Sequence, residues 1–551
     1  MPNGKYSGEQ LDKMFTQLKS TQQQLQGDWE ECYKYYIPES QDLVYGENSP
    51  NEITDVPFDT VGMTSIISLA SGIFSNTINM GDEFFSYRIA DDKVNESEEA
   101  SNYMSEAGKK ALKILQGSNF ALEAFELMQS WIALNTGVQY TEMKEQKLVC
   151  KNYSIAQCCI AESHDGLVDT VFREFKMEAR QAVQKFGEEN VSKEIQKANS
   201  VPETMYTEFD FIHAVFPRVG YDPEKIDNKN MPFASYYYEK EKKHICKEDG
   251  YLSFPYHVPR FYKKSTTPYG RGPSFTLLPS LREICQIRQM ILAGAHMKIE
   301  PPVFLPNGSN LDDIDLSPRA VNFFDATKGR PEFYRPDIDI QSIGQYRQEL
   351  KKEIEDNFFV DLFRMLEDRK NMTATEVQER ISEKIQAITP VINRLYNEYF
   401  SPLLTRLFEL MIENGVLEKP PELVAQSDYA VEYSTKLDNK LKALDTSQIM
   451  TSMEQVSMIK QFEMQTPDLG LVLDTDKIVR GIIKNNNVDP DYIRDKSETE
   501  ELRQAQAQAA QQAQMMQMMS DKIKPMDMNQ APEEGSPMAD PEAEETMMGM
   551  G

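Results

Sequence analysis

The chain contains few of the side chains that carry out chemistry in proteins. Its 551 residues include five histidines, and no two of them have the spacing of metal ligands on a helix. The six cysteines are irregularly spaced, which excludes a disulfide scaffold and predicts reduced thiols. The chain has no run of about 20 apolar residues, and its N-terminus lacks an apolar core. The sequence therefore predicts neither a membrane-spanning helix nor a secretory signal.

The motifs of common enzyme families are also absent. There is no phosphate-binding loop, no HExxH and no GxSxG. The stretch 270–272 begins like a dinucleotide fingerprint, but Phe275 replaces the third glycine and no helix is predicted to open there. The pair Cys158-Cys159 lacks the further ligands of a zinc site, and the acidic cluster at 312–315 lacks the pattern of a calcium loop. We therefore predict no catalytic residue, no metal and no cofactor.

The residues that are abundant indicate a folded and strongly acidic protein. Hydrophobic residues make up 40% of the chain, which is enough for a sizeable core. Acidic residues number 88 and basic residues 59, giving a formal net charge of -29. Because this charge repels phosphate, it excludes a protein whose whole surface embraces nucleic acid. It leaves room for local basic segments such as that around Arg369.

Apolar periodicity predicts a mixed N-terminal half. Helices are predicted over 8–36, 60–79, 96–115, 121–134 and 178–198. Strand-like runs fill 138–175, with a type I′ hairpin at Asp165-Gly166, and return near Phe209 and Val215. Leu252, Phe254, Tyr256 and Val258 alternate as one strand face, and Pro255 places that strand at an edge or a bulge.

Two helices are predicted to bracket a proline-rich excursion at 301–336. The first begins at a capping box formed by Ser280 and Glu283, and the second begins near Ser342. A further capping box, Thr373 with Glu376, opens a long helix. Pro390 and Pro402 are predicted to kink or restart this helix, with Ser401 as a cap and Asn414-Gly415 as its end.

The C-terminal part is predicted as a helical unit at 423–488, a Gln/Ala/Met helix at 503–519 and an acidic, disordered tail from 520. No internal repeat is present.

Several segments together resemble the head-to-tail connector, or portal, proteins of short-tailed bacteriophages. They follow one another in order along roughly residues 10–490, and the most specific are PYGRGP and MTATEVQER. The matching segments are DVPFDTVGMTSIISLASGIFSNTI (55–78), SNFALEAFELMQSWIALNTGV (118–138), PYGRGP (268–273), LPSLREICQIRQMILAGAHMKIEPPVFLP (278–306) and MTATEVQER (372–380).

The resemblance implies a predominantly helical α+β fold of the portal type that assembles as a ring. The expected divisions are a wing (1–276), stem helix 1 (277–299), a clip (300–339), stem helix 2 (340–359), a tunnel loop (360–373), a long kinked wing or crown helix (374–415), a crown (416–500), a possible barrel helix (501–519) and an acidic tail (520–551). The tail from 520 departs from the family pattern, which leaves the extent of the barrel open.

The resemblance also implies a function without enzymatic activity. A dodecameric ring at one capsid vertex would pass double-stranded DNA without sequence specificity. The terminase large subunit, a tail adaptor, and the capsid and scaffolding proteins would bind it, with assembly in the host bacterial cytoplasm. The alternative is another non-enzymatic protein of virion morphogenesis, such as a scaffold or ejection protein.

The resemblance assigns site residues to two segments. The tunnel loop would present Arg364, Arg369, Lys370 and Met372 to DNA, next to the helix cap Thr373 and Glu376. The clip would contact terminase and the tail through Arg319, Lys328, Arg330 and Arg335.

Overall fold

A computed structural model describes residues 6–38, 57–78, 80–81, 83–90, 97–221, 227–299, 303–304, 327, 332–333, 339–362, 374–421, 424, 429–435 and 457. Of 98, 229, 303–304, 332–333 and 374–383 only the backbone is described. Except for 457, these residues belong to the first of two compact units, Met1–Leu444.

Two N-terminal helices replace the single helix predicted over 8–36. Helix α1 (Gly8–Gln23) begins at a capping box in which Ser7 and Gln10 exchange side-chain and backbone hydrogen bonds. Helix α2 (Gln26–Tyr36) follows a short break. The break allows the two helices to pack in different places: Phe15 of α1 packs against the large sheet, and Trp29 of α2 packs in the main core.

Three more helices build the main core. These are α3 (Val61–Thr77), α4 (Glu98–Gln116) and α5 (Phe120–Leu134), which confirm the predicted helices to within two residues at each end. Trp29 and Trp131 are at most 1% exposed within this core. A strand that the sequence patterns did not predict, β1 (Phe85–Ile89), lies between α3 and α4 in the chain.

The predicted type I′ hairpin occurs at a different position. Strands β2 (Gln139–Lys144) and β3 (Lys147–Asn152) are joined through Glu145 and Gln146, whose φ values of 49° and 62° are those of a type I′ turn. At Asp165-Gly166 a hairpin is present, but only the glycine has a positive φ. The loop is closed by a hydrogen bond from the Ser163 N–H to the Leu167 carbonyl, so it is longer than a two-residue turn.

A five-stranded antiparallel sheet forms the largest β element, with its strands in chain order. Helix α1 covers one face of the sheet, and α6 (Ala179–Phe186) and α7 (Lys193–Ser200) pack against part of the other face. These two short helices replace the single predicted helix over 178–198, because Gly187 with φ 86° ends the first. The strands are β4 (Cys158–Glu162), β5 (Val168–Glu178), β6 (Glu208–Pro217), β7 (Phe233–Glu239) and β8 (Ile245–Tyr251).

The strand near Pro255 is shorter than the alternating pattern of 252–258 predicts. Only β9 (Tyr256–His257) is a strand, and it pairs with β2 at the edge of a three-stranded sheet, as the proline predicts. Leu252 does not share its buried face, since its side chain is exposed.

The PYGRGP segment lies where a hairpin meets a helix. Strands β10 (Tyr262–Lys264) and β11 (Thr267–Arg271) are followed at once by α8 (Pro273–Thr276), so the prediction that no helix opens there is wrong. Proline is favoured at this first helical position because its missing N–H has no helical partner. Gly270 and Gly272 are required for packing, since a Cβ at either would lie within 2.1 Å of Asn135.

Two helices bracket the proline-rich segment as predicted. Helix α9 (Leu278–Ile299) starts two residues before Ser280, which excludes Ser280 as its cap. Strands β12 (Val303–Phe304) and β13 (Glu332–Phe333) pair antiparallel, and α10 (Ile340–Asn357) follows. After α10 the chain turns at Phe359 (φ 53°), and Val360 and Leu362 are buried in a helical turn rather than an open loop.

The long C-terminal helix of the unit is continuous. Helix α11 (Ala374–Leu395) contains Pro390 and passes through a π-helical turn (Tyr396–Phe400) into α12 (Ser401–Glu413). Ser401 has helical backbone angles and no capping hydrogen bond, so its prediction as a cap is wrong. Gly415 with φ 67° lies just beyond the end of α12, as predicted.

The prediction of a wholly helical unit over 423–488 is also wrong. Strand β14 (Tyr429–Tyr433) pairs antiparallel with β1. Its alternation of tyrosine and valine with alanine and glutamate has the period of a strand.

Candidate functional site

The predicted site residues lie outside the part of the chain that the structure describes. This holds for Arg364, Arg369, Lys370, Met372 and Thr373 of the channel segment and for Arg319, Lys328, Arg330 and Arg335 of the clip. Glu376 lies in the first turn of α11, with only its backbone described. Their roles therefore stay predictions. Among the described elements, the helices α9 and α10 come before and after the clip segment in the chain, and α10 precedes the channel segment.

Helices α9 and α10 lie side by side in opposite directions. Tyr346 of α10 donates a hydrogen bond of 2.8 Å to Glu283 in the first half of α9. At the other end, Asp339 caps α10 by accepting from the N–H groups of Gln341 and Ser342. The Ser342 hydroxyl also donates to Asp339, and this hydrogen bond above all, together with those from the two backbone N–H groups and the charge of Lys298 near the end of α9, lowers the pKa of Asp339.

A buried carboxylate, that of Asp59, joins the helix pair to α3, and it was not predicted from the sequence. Asp59 precedes α3 and is 4% exposed. Its Oδ1 accepts from the Val61 N–H, and its Oδ2 accepts from Arg347 Nε (3.0 Å) and Nη2 (2.6 Å) of α10. Arg288 of α9 approaches the same oxygen at 3.6 Å. One aspartate thus joins three helices, and its position before a helix is the only sequence signal for it.

The outer, C-terminal half of α9 carries large apolar side chains that the described part of the chain leaves about half exposed or more. Leu281, Ile284 and Ile287 in the inner half are buried. In the outer half, large apolar side chains are 45–76% exposed: Met290, Leu292, Met297 and Ile299. Met290 and Met297 lie on one side of the helix, and Leu292 and Ile299 lie on the opposite side. We use the name bare face of α9 for the uncovered apolar surface that these four residues form together around its outer half. Burial of apolar area is the main driving force of association, so this face has the chemistry of a protein interface.

A second buried ion cluster fixes the π-helical turn to the sheets. Arg260 is fully buried, and Glu398 of the π turn accepts from its backbone N–H, from Nε and from Nη2 at 2.7–3.0 Å. The guanidinium also donates to Glu162 of β4 and to the Gly166 carbonyl in the β4–β5 hairpin. Arg394 adds a second cation to Glu398 at 3.1 Å. The π turn is therefore held at one register against the large sheet.

The cysteines and two of the five histidines, His213 and His257, are buried in the described part of the chain. All six cysteines are buried and unpaired, and burial raises the pKa of Cys158 and of Cys159 to about 12. Burial, then the charge of Arg406, lowers the pKa of His257 to about 3. Among the described residues no group of three or more His, Cys, Asp or Glu side chains could hold a metal ion. None of the described helices is both long and apolar enough to cross a membrane.

These features define a class: an α+β protein in which a helix pair, anchored by a buried ion cluster, presents an uncovered apolar face. Comparison with known proteins gives the family. The family model of the bacteriophage head to tail connecting protein matches residues 8–493. The chain therefore belongs to this family, which confirms the resemblance found in the sequence, and its function is that of a portal, or head-to-tail connector, protein.

Two curated relatives agree with the family assignment. A probable portal protein of Bordetella phage BPP-1 is 27% identical over 450 residues, covering 79% of this chain and 80% of the relative. A portal protein of Salmonella phage epsilon15 is 25% identical over 513 residues, covering 91% of each.

Proposed function

We propose that this portal protein forms a dodecameric ring at one vertex of the capsid. Double-stranded DNA enters through the ring during packaging and leaves through it during ejection. The protein itself performs no catalysis, because its role is to be a conduit and a docking platform. Assembly takes place in the host bacterial cytoplasm, with capsid and scaffolding proteins as partners. The observation that carries this proposal is the bare face of α9 in a chain of the connector family.

In the proposed ring, α9 and α10 are the stem helices. Each bare face of α9 packs against a neighbouring subunit, since full burial of a large apolar side chain contributes about 1.5–3 kcal/mol and these side chains, 45–76% exposed, have roughly half or more of that still to gain. The Asp59 cluster holds the pair at a fixed angle to α3, which would give all subunits the same stem orientation. The segment 300–339 forms the clip, where the terminase large subunit and later the tail adaptor bind through Arg319, Lys328, Arg330 and Arg335.

The net charge suits a conduit. Each phosphate that Lys or Arg neutralises strengthens binding to DNA, and a duplex held by many such contacts would not slide. A chain with a formal charge of -29 lines a channel that repels its cargo. The cations of the tunnel loop, Arg364, Arg369 and Lys370, together with Met372, provide a few contacts to the DNA backbone without reading bases.

Assembly of purified protein tests the proposal. Negative-stain images are expected to show rings with a central hole, and light scattering a mass many times 63.3 kDa. The variant Leu292→Asp places a charge in the bare face and is expected to leave the subunit folded but prevent ring formation. The matched control is Leu122→Asp on α5, a helical leucine outside the bare face that is 62% exposed against 52% for Leu292. A folded parent protein that stays monomeric at micromolar concentration would contradict the proposal.

A further inference from the structure

One row of the large sheet carries an unusual set of side chains. Arg173 of β5, His213 of β6, Tyr237 of β7 and Lys247 of β8 are direct cross-strand neighbours. Because directly paired residues point to the same side, these four share one face of the sheet. The His213 ring stacks on Tyr237 with centroids 3.9 Å apart, and burial first, then nearby cations, lowers its pKa well below the usual range. The row therefore contains two cations separated by neutral rings.

Arg173 has aromatic partners but no anionic one in the described part of the chain. Its guanidinium carbon lies 3.5 Å from the ring centroid of Tyr153 and 4.4 Å from that of Phe175. Its Nε is buried, and no described atom accepts a hydrogen bond from it. An arginine held by its flat faces keeps its N–H groups in the plane of the guanidinium, where an oxyanion can accept them.

Lys185 of α6 reaches the same place from above the sheet. Its Nζ lies 4.0 Å from the ring centroid of Tyr237 and 5.6 Å from that of Phe175. Desolvation, followed by the positive charges of Arg173 and Lys151, lowers the pKa of Lys185 to about 8. Both cations lie within about 6 Å of one ring, that of Phe175, so they are neighbours on the same part of the sheet.

The neighbouring cations differ because they have carboxylate partners. Lys144 lies 2.8 Å and Lys151 3.6 Å from Glu142, and Lys247 lies 2.8 Å from Asp249. In a chain with so many acidic residues, most lysine and arginine side chains are expected to lie near a carboxylate. Arg173 and Lys185 have aromatic walls instead; the negative charge of Glu142 acts on Lys185, but Glu142 is shared with Lys144 and Lys151. Positive charge therefore exceeds negative charge at this place, which is a property of a binding site for an anion.

We propose that Arg173 and Lys185 form a binding site for a phosphate oxyanion. The planar guanidinium offers paired N–H donors that match phosphate geometry, and the ammonium group supplies a second charge. Tyr153 and Tyr237 limit the site on two sides. The oxyanion is either inorganic phosphate or a phosphodiester of the DNA backbone, and only the second source depends on the proposed function.

The reactivity of Lys185 measures occupancy of this site. Only the neutral amine reacts with acetic anhydride, so acetylation of Lys185 near pH 8 is expected to be faster than that of ordinary lysines. Bound phosphate raises the pKa of Lys185, and a rise of one unit lowers its acetylation rate at pH 8 about fivefold. Mass spectrometry of the full chain follows the rate at constant ionic strength, with Lys193 on α7, an exposed lysine, as the internal control.

Three conditions separate the outcomes: chloride alone, inorganic phosphate, and a short DNA duplex. Protection of Lys185 by inorganic phosphate assigns the site to the free ion, and protection by the duplex alone assigns it to the DNA backbone. Protection is expected to be lost in Arg173→Gln but retained in the matched variant Lys247→Gln. Equal acetylation of Lys185 in all three conditions, or protection that survives Arg173→Gln, would overturn the proposal. Because the assay does not require a ring, its failure leaves the proposed function standing, and failure to form rings leaves this site standing.

Discussion

Single charged residues fix the angles between distant parts of this protein. Asp59 and Arg347 are 288 positions apart and meet where α3, α9 and α10 converge. Arg260 and Glu398 likewise form an ion pair that joins the sheets to the π turn. Each contact involves a carboxylate that is less than one-tenth exposed, so loss of its best-placed cation leaves a buried charge that the second cation, Arg288 or Arg394, compensates only in part.

The first prediction at this scale concerns Arg347→Met. Since the Arg347 side chain is one-quarter exposed, solvent moderates the loss, and we expect a decrease of about 2 kcal/mol in the free energy of unfolding. Urea denaturation of unassembled protein measures it. The control is Arg282→Met on the same helix pair, whose partner Glu31 is exposed, and it is expected to cost less than about 1 kcal/mol. Equal costs for the two variants would show that the Asp59 cluster does not anchor the helix pair.

The second prediction concerns pH. The pKa of buried His257 is about 3 in the folded chain, against an ordinary value of 6.5. Above pH 6.5 both states are neutral; below it the unfolded chain takes up a proton that the folded chain refuses, so stability falls as pH decreases toward 3. Between pH 7 and 4 this linkage removes about 3 kcal/mol from the parent and nothing from His257→Gln. The difference in unfolding free energy between the parent and His257→Gln is therefore expected to change by that amount between pH 7 and 4. The control His164→Gln, at an exposed histidine, is expected to show the same pH dependence as the parent.

At the scale of elements, the long α11–α12 helix depends on its π turn. Pro402 lacks the N–H that an α-helix would donate to the Glu398 carbonyl, and widening the preceding turn accommodates this loss. The extra residue of a π turn also rotates everything before it relative to everything after it. Glu398 thereby faces Arg260, and the register of the helix is set by an ion pair as well as by packing.

The third prediction tests this coupling with Glu398→Gln. The neutral side chain leaves Arg260 buried with only Glu162 as its anion, at a cost of about 3 kcal/mol. Hydrogen exchange is expected to accelerate both in the π turn and in the β4–β5 hairpin, because Arg260 joins them. Arg394→Met removes a half-buried cation from the same carboxylate and is expected to affect the π turn alone. A hairpin that exchanges normally in Glu398→Gln would contradict the coupling.

Elements with strong local periodicity could be predicted from the sequence, and those that depend on distant partners could not. The helices α9 and α10 have apolar stripes, with prolines after the end of α9 and before the start of α10, and both appear where expected. The β1–β14 pair joins segments about 340 residues apart, so neither segment shows its partner. The buried carboxylates of Asp59 and Glu398 were missed for the same reason: in an acidic chain, nothing local distinguishes them from surface residues.

At the scale of the whole molecule, charge opposes assembly while the bare face of α9 favours it. Copies that each carry a formal charge of -29 repel one another, and salt shortens the range of this repulsion to about 10 Å at 0.1 M. The fourth prediction is therefore that ring formation strengthens as sodium chloride rises from about 0.05 to about 0.5 M. Light scattering at fixed protein concentration measures the assembled fraction. An assembled fraction that falls with salt would show that attraction between opposite charges holds the ring together.

The fifth prediction concerns the passage of DNA. Replacing Arg364, Arg369 and Lys370 together by glutamine removes the cations assigned to the tunnel loop. Ring assembly is expected to remain normal, because the bare face of α9 is unchanged, while fewer filled heads retain their DNA. Counting intact rings and DNA-retaining heads separates the two effects, and Thr373→Ala, with an expected local cost of about 1 kcal/mol, controls for loss of the helix cap. Normal retention by the triple variant would remove these residues from the channel.

The pairing of β1 with β14 has a consequence for how the chain is made. A ribosome that has finished Ile89 must add about 340 residues before Tyr429 appears, which at roughly 5–20 residues per second takes about 20–70 s. During that time β1, with Phe85, Tyr87 and Ile89 on its buried face, has no partner strand. An apolar strand edge left open for so long invites aggregation, so fragments that end before Tyr429 are expected to be insoluble, and synthesis of the intact chain is expected to require chaperones.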